Sequence, residues 1–161
     1  MSLFERSGYR WRDTYFVLFE ERESVKADDL GRALRALGDR YQFEEIGSNE
    51  DGVFESLTLL SPTDYAGMDI ILNSGEDVAA QIEELTEELG RGVLTADDRR
   101  KLAIVKRATA RFEVFHFEQV AEEADEADDD YLDPGGLLLV LERLAASCDG
   151  IVVDPQSGAF L

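Results

Sequence analysis

The run Thr14-Tyr15-Phe16-Val17-Leu18-Phe19 constrains the fold more than any other segment of this chain. Successive residues of a strand point to opposite faces, and here both faces are apolar. Such a run reads as a central strand buried on both sides. Arg111 to Gln119 is equally strand-like, with Phe112, Val114, Phe115 and Phe117. The stretch before the first run, residues 1–13, is mixed and polar, with Tyr9 and Trp11 as its anchors.

The remaining elements follow from periodicity and punctuation. Leu30, Ala33, Leu34 and Leu37 fall on one face of a helix predicted over roughly 26–37. Asp28 and Asp29 suit its first turn, and Gly38 suits the left-handed residue after its end. Tyr41–Ile46 and Val53–Leu60, joined by Ser48-Asn49-Glu50-Asp51-Gly52, read as a β-hairpin, and Met68–Leu72 as a short strand. Gly75–Leu89 is an acidic amphipathic helix with Val78, Ile82, Leu85 and Leu89 on one face, stopped by Gly90 and Gly92. Thr95 and Asp98 have the spacing of a capping box, which opens a basic helix reaching Thr109. Asp133-Pro134 starts a last helix, with Leu137, Val140 or Leu141, Leu144 and Cys148 on its buried side. Ile151–Val153 is a strand, and Ala159–Leu161 returns after the turn Asp154–Gly158.

The order is βαββ, then βαα, then βαββ, which describes an α+β protein with a mixed or antiparallel sheet. A chain of 161 residues with 44% hydrophobic residues is expected to form a single domain over 1–161. The blocks 14–60 and 111–161 share one order of elements around a helical insert, 75–109. A duplicated, ferredoxin-like βαββ unit would account for this, with Tyr15–Phe19 and Phe112–Phe117 as twin central strands. Chance accounts for it too, because βαββ order is common in α+β domains and residue identity between the blocks is slight.

Charge is the second constraint. There are 16 Lys and Arg against 36 Asp and Glu, a formal net charge of -20. Phosphate backbones and anionic membrane surfaces repel such a chain, so neither nucleic acid nor membrane is an expected partner. No apolar stretch is long enough to span a bilayer. The lone Cys148 permits no internal disulfide, and the first residues contain no apolar signal core, so the expected location is cytoplasmic. The acidity is uneven. Residues 41–90 and 112–142 contain no Lys or Arg and hold 13 and 11 acidic residues, whereas residues 91–111 hold seven basic against two acidic. Two arrangements suit this pattern. The favoured one packs the basic helix beside the acidic helix 75–89, so that their charges partly neutralise one another. The other leaves the basic face as a docking surface for an acidic partner, including another copy of the chain.

Chemistry-bearing motifs are scarce. The segment Glu122, Glu123, Asp125, Glu126, Asp128, Asp129 and Asp130, followed by Asp133, is the densest acidic run. Asp125, Asp128 and Asp130 are weak candidates for a hard-cation site, but the spacing fails a Ca²⁺-loop test from either Asp125 or Asp128. The same seven residues from Glu122 to Asp130 are the expected contact set for a basic partner. His116 is the only histidine, too few for a zinc site, and Cys148 at the end of an apolar helix reads as a buried, inert thiol. Phosphate-binding glycine loops, Gly-x-Ser-x-Gly, His-Glu-x-x-His and Cys-x-x-Cys are absent, so no cofactor or metal is expected. The strand and turn Asp149–Gly158 resembles the ending of assorted small bacterial α+β domains, some of them immunity proteins that neutralise toxins; the likeness is confined to those residues.

The expectation is therefore a non-enzymatic acidic interaction domain, monomeric or weakly homo-oligomeric, that engages a basic partner as an immunity-type or regulatory protein. The alternative is a small-ligand-binding regulatory domain, its cleft between the two βαββ halves lined by Tyr15, Phe19, Phe112 and Phe117.

Overall fold

A computed structural model describes residues 2–92, 94–120 and 135–161. Seven strands form one antiparallel sheet: β1 Tyr9–Phe19, β2 Gln42–Ser48, β3 Phe54–Ser61, β4 Ala66–Ser74, β5 Ala110–Gln119, β6 Ile151–Asp154 and β7 Ala159–Phe160. Their order across the sheet is β2-β3-β4-β5-β1-β6-β7. Four α-helices accompany them: α1 Ala27–Arg35, α2 Glu76–Leu89, α3 Ala96–Val105 and α4 Gly135–Cys148. Among the described residues, no helix is long and apolar enough to cross a membrane.

The two apolar runs of the sequence become the central pair. β1 and β5 align from Tyr9 opposite Gln119 to Phe19 opposite Ala110. Both faces of this pair are covered. Val17, Phe19, Phe112 and Val114 point to one face and pack beneath α1 and α4, against Leu30, Leu34, Leu137, Val140, Leu141 and Leu144. Leu18 points to the other face and packs with Val78, Ile82, Leu89 and Val105 of α2 and α3. The amphipathic spacing that predicts these helices also selects their buried residues.

β1 is longer than the apolar run alone implies, and it carries a β-bulge. Asp13 pairs with His116 but Trp11 pairs with Phe117, so Arg12 is an extra residue between them. One inserted residue reverses the alternation of faces for everything before it. Asp13 and Tyr15 therefore share the α1/α4 face with His116, whereas Trp11 shares the opposite face with Phe117. Trp11 is consequently no buried anchor: it is 43% exposed.

Two crossovers leave the central pair. α4 joins β5 to β6 across one strand, and α1 joins β1 to β2 across three. Both helices lie on the same face. The end of α4 nearest β3 is tightly fitted. Tyr41 donates its hydroxyl hydrogen to the carbonyl of Gly136 at 2.6 Å. A methyl group at Gly136 would come within 2.4 Å of the buried Asp64 carboxylate. That carboxylate accepts from Ser61 Oγ at 2.5 Å and Arg40 Nη2 at 2.6 Å.

The α2/α3 pair covers only part of its face. Beyond it, a single turn of 3₁₀ helix, Leu3–Glu5, covers Leu60 and Phe117. Asp69 of β4, 6% exposed, holds that turn in place. Its carboxylate accepts from Ser2 Oγ at 2.6 Å, the Leu3 amide at 2.9 Å and Thr58 Oγ1 at 2.8 Å. Leu3 is fully buried, and a Cβ at Gly67 would meet its Cδ1 at 2.8 Å. Asp69→Ala removes one acceptor and leaves three donors unpaired. It is expected to lower unfolding free energy by about 2–3 kcal/mol and to make residues 2–6 susceptible to proteolysis; urea denaturation and mapping of protease cuts check both.

Candidate functional site

Four features of the structure can bear function: a polar cluster around His116, a cleft beside Cys148, the outer face of α2, and an aromatic strip next to the amino-terminal turn.

The bulge at Arg12 assembles the first. His116 Nδ1 lies 2.9 Å from Asp13 Oδ1, so that nitrogen carries the proton and donates it to the carboxylate. Tyr15 donates its hydroxyl hydrogen to Asp13 Oδ2 at 3.2 Å. Sequence reasoning found no orienting partner for His116. Asp13 lies 103 residues away in the chain, and only the pairing of β1 with β5 joins them. Burial acts to raise the Asp13 carboxyl, but the hydrogen bonds from His116 and Tyr15, with the nearby Arg12 charge, together hold the group below its ordinary value. Burial, then the Asp13 charge, pushes the Tyr15 phenol up to about 12. His116 is 2% exposed, and its buried Nε2 has no partner among the described residues. An Asp–His pair of this kind resembles a general-base arrangement in bonding, yet with the ring so enclosed the pair orients and fills the core rather than meeting a substrate.

Because the Asp13 carboxyl sits below its unfolded value, its contribution to stability is present above that value, near pH 4. It is lost as pH falls through the lower, folded value. Replacing His116 with Leu removes the hydrogen-bond donor that helps to hold Asp13 down. The variant is expected to be less stable than the wild type at neutral pH, with the gap narrowing below about pH 4 as Asp13 takes up its proton in both; melting curves from pH 2 to 7 measure this.

The second feature is a cleft of about 600 Å³ at the far end of the central pair, where β1 leads into residues 20–26. Its floor is Phe19, Phe112 and Leu30, with Ile104 and Cys148 on its walls. The two phenylalanine rings stack at 5.1 Å and 21°. Burial, the larger influence, pushes the Cys148 thiol up to about 12, and its sulfur lies 3.1 Å from the Leu144 carbonyl. The sequence suggests a buried thiol, whereas Cys148 is half-buried and borders the cleft. Cys148 and His116 form no pair. Cys148 lies beside Gly150, against the Leu18 carbonyl, whereas His116 sits against Asp13. Asp13 and Leu18 are five residues apart on β1, roughly 17 Å at strand spacing.

The four aromatic residues expected to line one cleft do not converge. Phe19 and Phe112 form the floor described above, Tyr15 is held by Asp13 further along the same face, and Phe117 lies on the opposite face against Leu3. The cause is the strict alternation of faces along β5, which separates Phe112 from Phe117.

The third feature corrects the favoured charge arrangement. α2 and α3 do pack together, through Leu89, Leu102 and Val105. The capping box of α3 is complete: Thr95 Oγ1 accepts from the Asp98 amide at 3.0 Å, and Asp98 Oδ2 accepts from the Thr95 amide at 3.1 Å. Among the described residues, however, no ion pair joins the two helices. Arg100 and Lys101 instead pair with Asp97 inside α3. α2 leaves Glu76, Asp77, Glu83, Glu84, Glu87 and Glu88 exposed, none in an ion pair among the described residues.

The fourth feature lies on the same sheet face as α2 and α3, outside the area they cover. Phe4 meets Phe115 and Phe117 edge to face, at 5.3 and 4.7 Å between ring centres. Trp11 adjoins Phe117 as its cross-strand partner. A groove of about 530 Å³ continues from Phe4 and Phe115 past Ile71, Thr58 and Ser56 to Glu45.

The acidic run with Glu122, Glu123, Asp125, Glu126, Asp128, Asp129 and Asp130, and the Asp133 cap, lie outside the described residues. Among the described residues, no three His, Cys, Asp or Glu side chains converge in a way that could hold a metal ion. Comparison with protein-family models, with curated proteins and with solved structures finds no match for this chain.

Proposed function

We propose that this protein is a non-enzymatic interaction domain whose acidic surface engages a basic protein partner, as an immunity-type or regulatory protein does. The observation that carries the reading is the charge pattern of α2. Glu76 and Asp77 suit its first turn, but its later acidic side chains work against the helix that bears them. Glu83 and Glu87, and Glu84 and Glu88, stand four residues apart on exposed positions. Like charges at that spacing destabilise a helix by about 0.2–0.5 kcal/mol per pair. Glu87 and Glu88 also occupy the last turn, where the helix dipole disfavours negative charge, and no basic residue offsets them there. The exposed helices α1 and α3 differ: each carries an internal i,i+3 pair, Asp29 with Arg32 and Asp97 with Arg100. A feature that lowers stability without a structural return is what a binding surface leaves behind. A net charge of -20 adds long-range steering toward a basic partner.

Glu87→Lys is expected to raise stability by about 0.5–1 kcal/mol at low salt, since it turns a repulsive pair into an attractive one and suits the dipole. Changing Glu83, Glu84, Glu87 and Glu88 together to Gln is expected to weaken binding of polylysine at least tenfold, and the wild-type affinity is expected to fall steeply with added salt. Calorimetric titrations at two ionic strengths measure both; unchanged affinity in the fourfold variant would remove the support that α2 gives.

The cleft over Phe19 and Phe112 favours a second reading, a small-ligand-binding regulatory domain. Its volume falls within the range of ligand pockets, about 300–1,000 Å³. A metabolite that binds there should raise the melting temperature of the wild type and not of Ile104→Glu, whose new charge would stand on the cleft wall. A duplicated βαββ unit belongs with either reading. The twin strands β1 and β5 at the sheet centre and the shared face of α1 and α4 support it, while the unequal spans of the two crossovers weigh against strict repetition.

A further inference from the structure

From the strip formed by Phe4, Trp11 and Phe115 we infer that the sheet face beside the amino-terminal turn is the anchoring surface for an apolar segment of the basic partner. This rests on the acidic-module reading above and names the place where affinity arises.

Large aromatic side chains are normally withdrawn from water, as Phe19, Phe54, Phe112 and Phe117 are here, all at most 2% exposed. Phe4 at 56%, Trp11 at 43% and Tyr65 at 51% stay exposed, and the first two lie on the sheet face that carries Phe115 and Phe117. Phe4 packs edge to face on Phe117, and Trp11 is the cross-strand partner of Phe117 on the same sheet face. Trp11 is kept outward by two local devices. The Arg12 bulge turns it away from the α1/α4 core, and its indole N–H donates to Thr14 Oγ1 at 3.0 Å, so the polar edge is satisfied while the ring stays open. The support is rigid, because Phe4 sits on the turn that the buried Asp69 holds to β4. Rigid, partly exposed aromatic residues on a fixed sheet are what interface anchors are made of, and tryptophan is the residue most enriched among them. The groove that continues to Ile71 gives an apolar side chain of the partner somewhere to enter.

The charge of the whole molecule selects the occupant. Arg6 and Arg111 are already paired with Glu44 and Glu113, and Arg10 and Arg12, which flank Trp11, both pair with Glu118. Exposed Glu5, next to Phe4, belongs to no ion pair among the described residues. With -20 on the whole molecule, a second copy of the chain is repelled and a basic segment is drawn in. The occupant is therefore a lysine- or arginine-rich protein segment with apolar side chains spaced along it.

Trp11 is the only tryptophan of the chain, so its emission reports on the strip directly. The protein is titrated with synthetic peptides of equal length that carry Lys with Leu, Lys with Ser, or Glu with Leu. The Lys/Leu peptide is expected to shift Trp11 emission to the blue and to bind at least tenfold tighter than the Lys/Ser peptide, with Glu/Leu weakest. Calorimetry is expected to give at least a tenfold loss for Trp11→Ala and a similar loss for Phe4→Ala, with recovery in Trp11→Phe, while melting temperatures show that all three variants fold. If the Lys/Leu peptide binds with no change in Trp11 emission, and Trp11→Ala binds as the wild type does while the fourfold α2 variant does not, this inference is overturned and the acidic module stands. If no lysine-bearing peptide binds, both are overturned. Self-association of the protein that shifts Trp11 emission in the absence of peptide would assign the strip to a second copy and overturn the inference.

Discussion

The antiparallel pairing of β1 with β5 determines where every other element lies. Both strands are apolar on two faces, so water must be excluded from both sides of the sheet at its centre. α1 and α4 do this on one side, and α2 and α3 on the other. The outer strands β2, β3 and β4 extend the sheet from β5, and β6 and β7 extend it from β1. A polar substitution at Val17 or Leu18 would therefore affect a different layer in each case, although the two residues are adjacent in sequence.

The polar groups inside this frame act as fasteners. Asp69 holds the amino-terminal turn, Asp64 holds the neighbourhood of Gly136, and Asp13 holds His116 and Tyr15. In each case a carboxylate accepts from two or more donors, which is how a buried charge is tolerated. Such groups specify position more than they add stability. This differs from the outer face of α2, whose carboxylates have no such partners and remain in water. Acidic residues thus divide into two populations by burial, and the functional reading rests on the exposed one.

Much of the architecture was legible in residue order. The helix faces at Leu30, Leu34, Val78, Ile82, Leu137 and Leu144 and the Thr95–Asp98 capping box follow from periodicity and local hydrogen bonding, which act within a few residues, whereas the choice between a mixed and an antiparallel sheet came from strand pairing across the chain. The relation of charge on α2 to charge on α3 was not legible. It depends on side chains that reach either the neighbouring helix or a nearer partner, and Asp97 was nearer to Arg100 and Lys101. The candidate sites were less legible still. Asp13 and His116 are joined only by strand pairing, and Phe4 and Phe115 only by docking of the amino-terminal turn on the sheet, each over a hundred residues of chain.

Trp11 shows where the division falls. By itself the sequence determined that a strand ends at Phe19, that its two faces are apolar, and that the chain carries a large negative charge. All three come from local chemistry or simple counting. It could not determine on which face Trp11 would lie, because alternation from Tyr15 and Val17 assigns it to the α1/α4 core. Register against β5 decided otherwise: one extra residue, Arg12, was accommodated in β1 so that Asp13 meets His116 and Trp11 meets Phe117. A bulge is a property of two strands, not of one, so only the tertiary structure could turn that indole from the core to the surface.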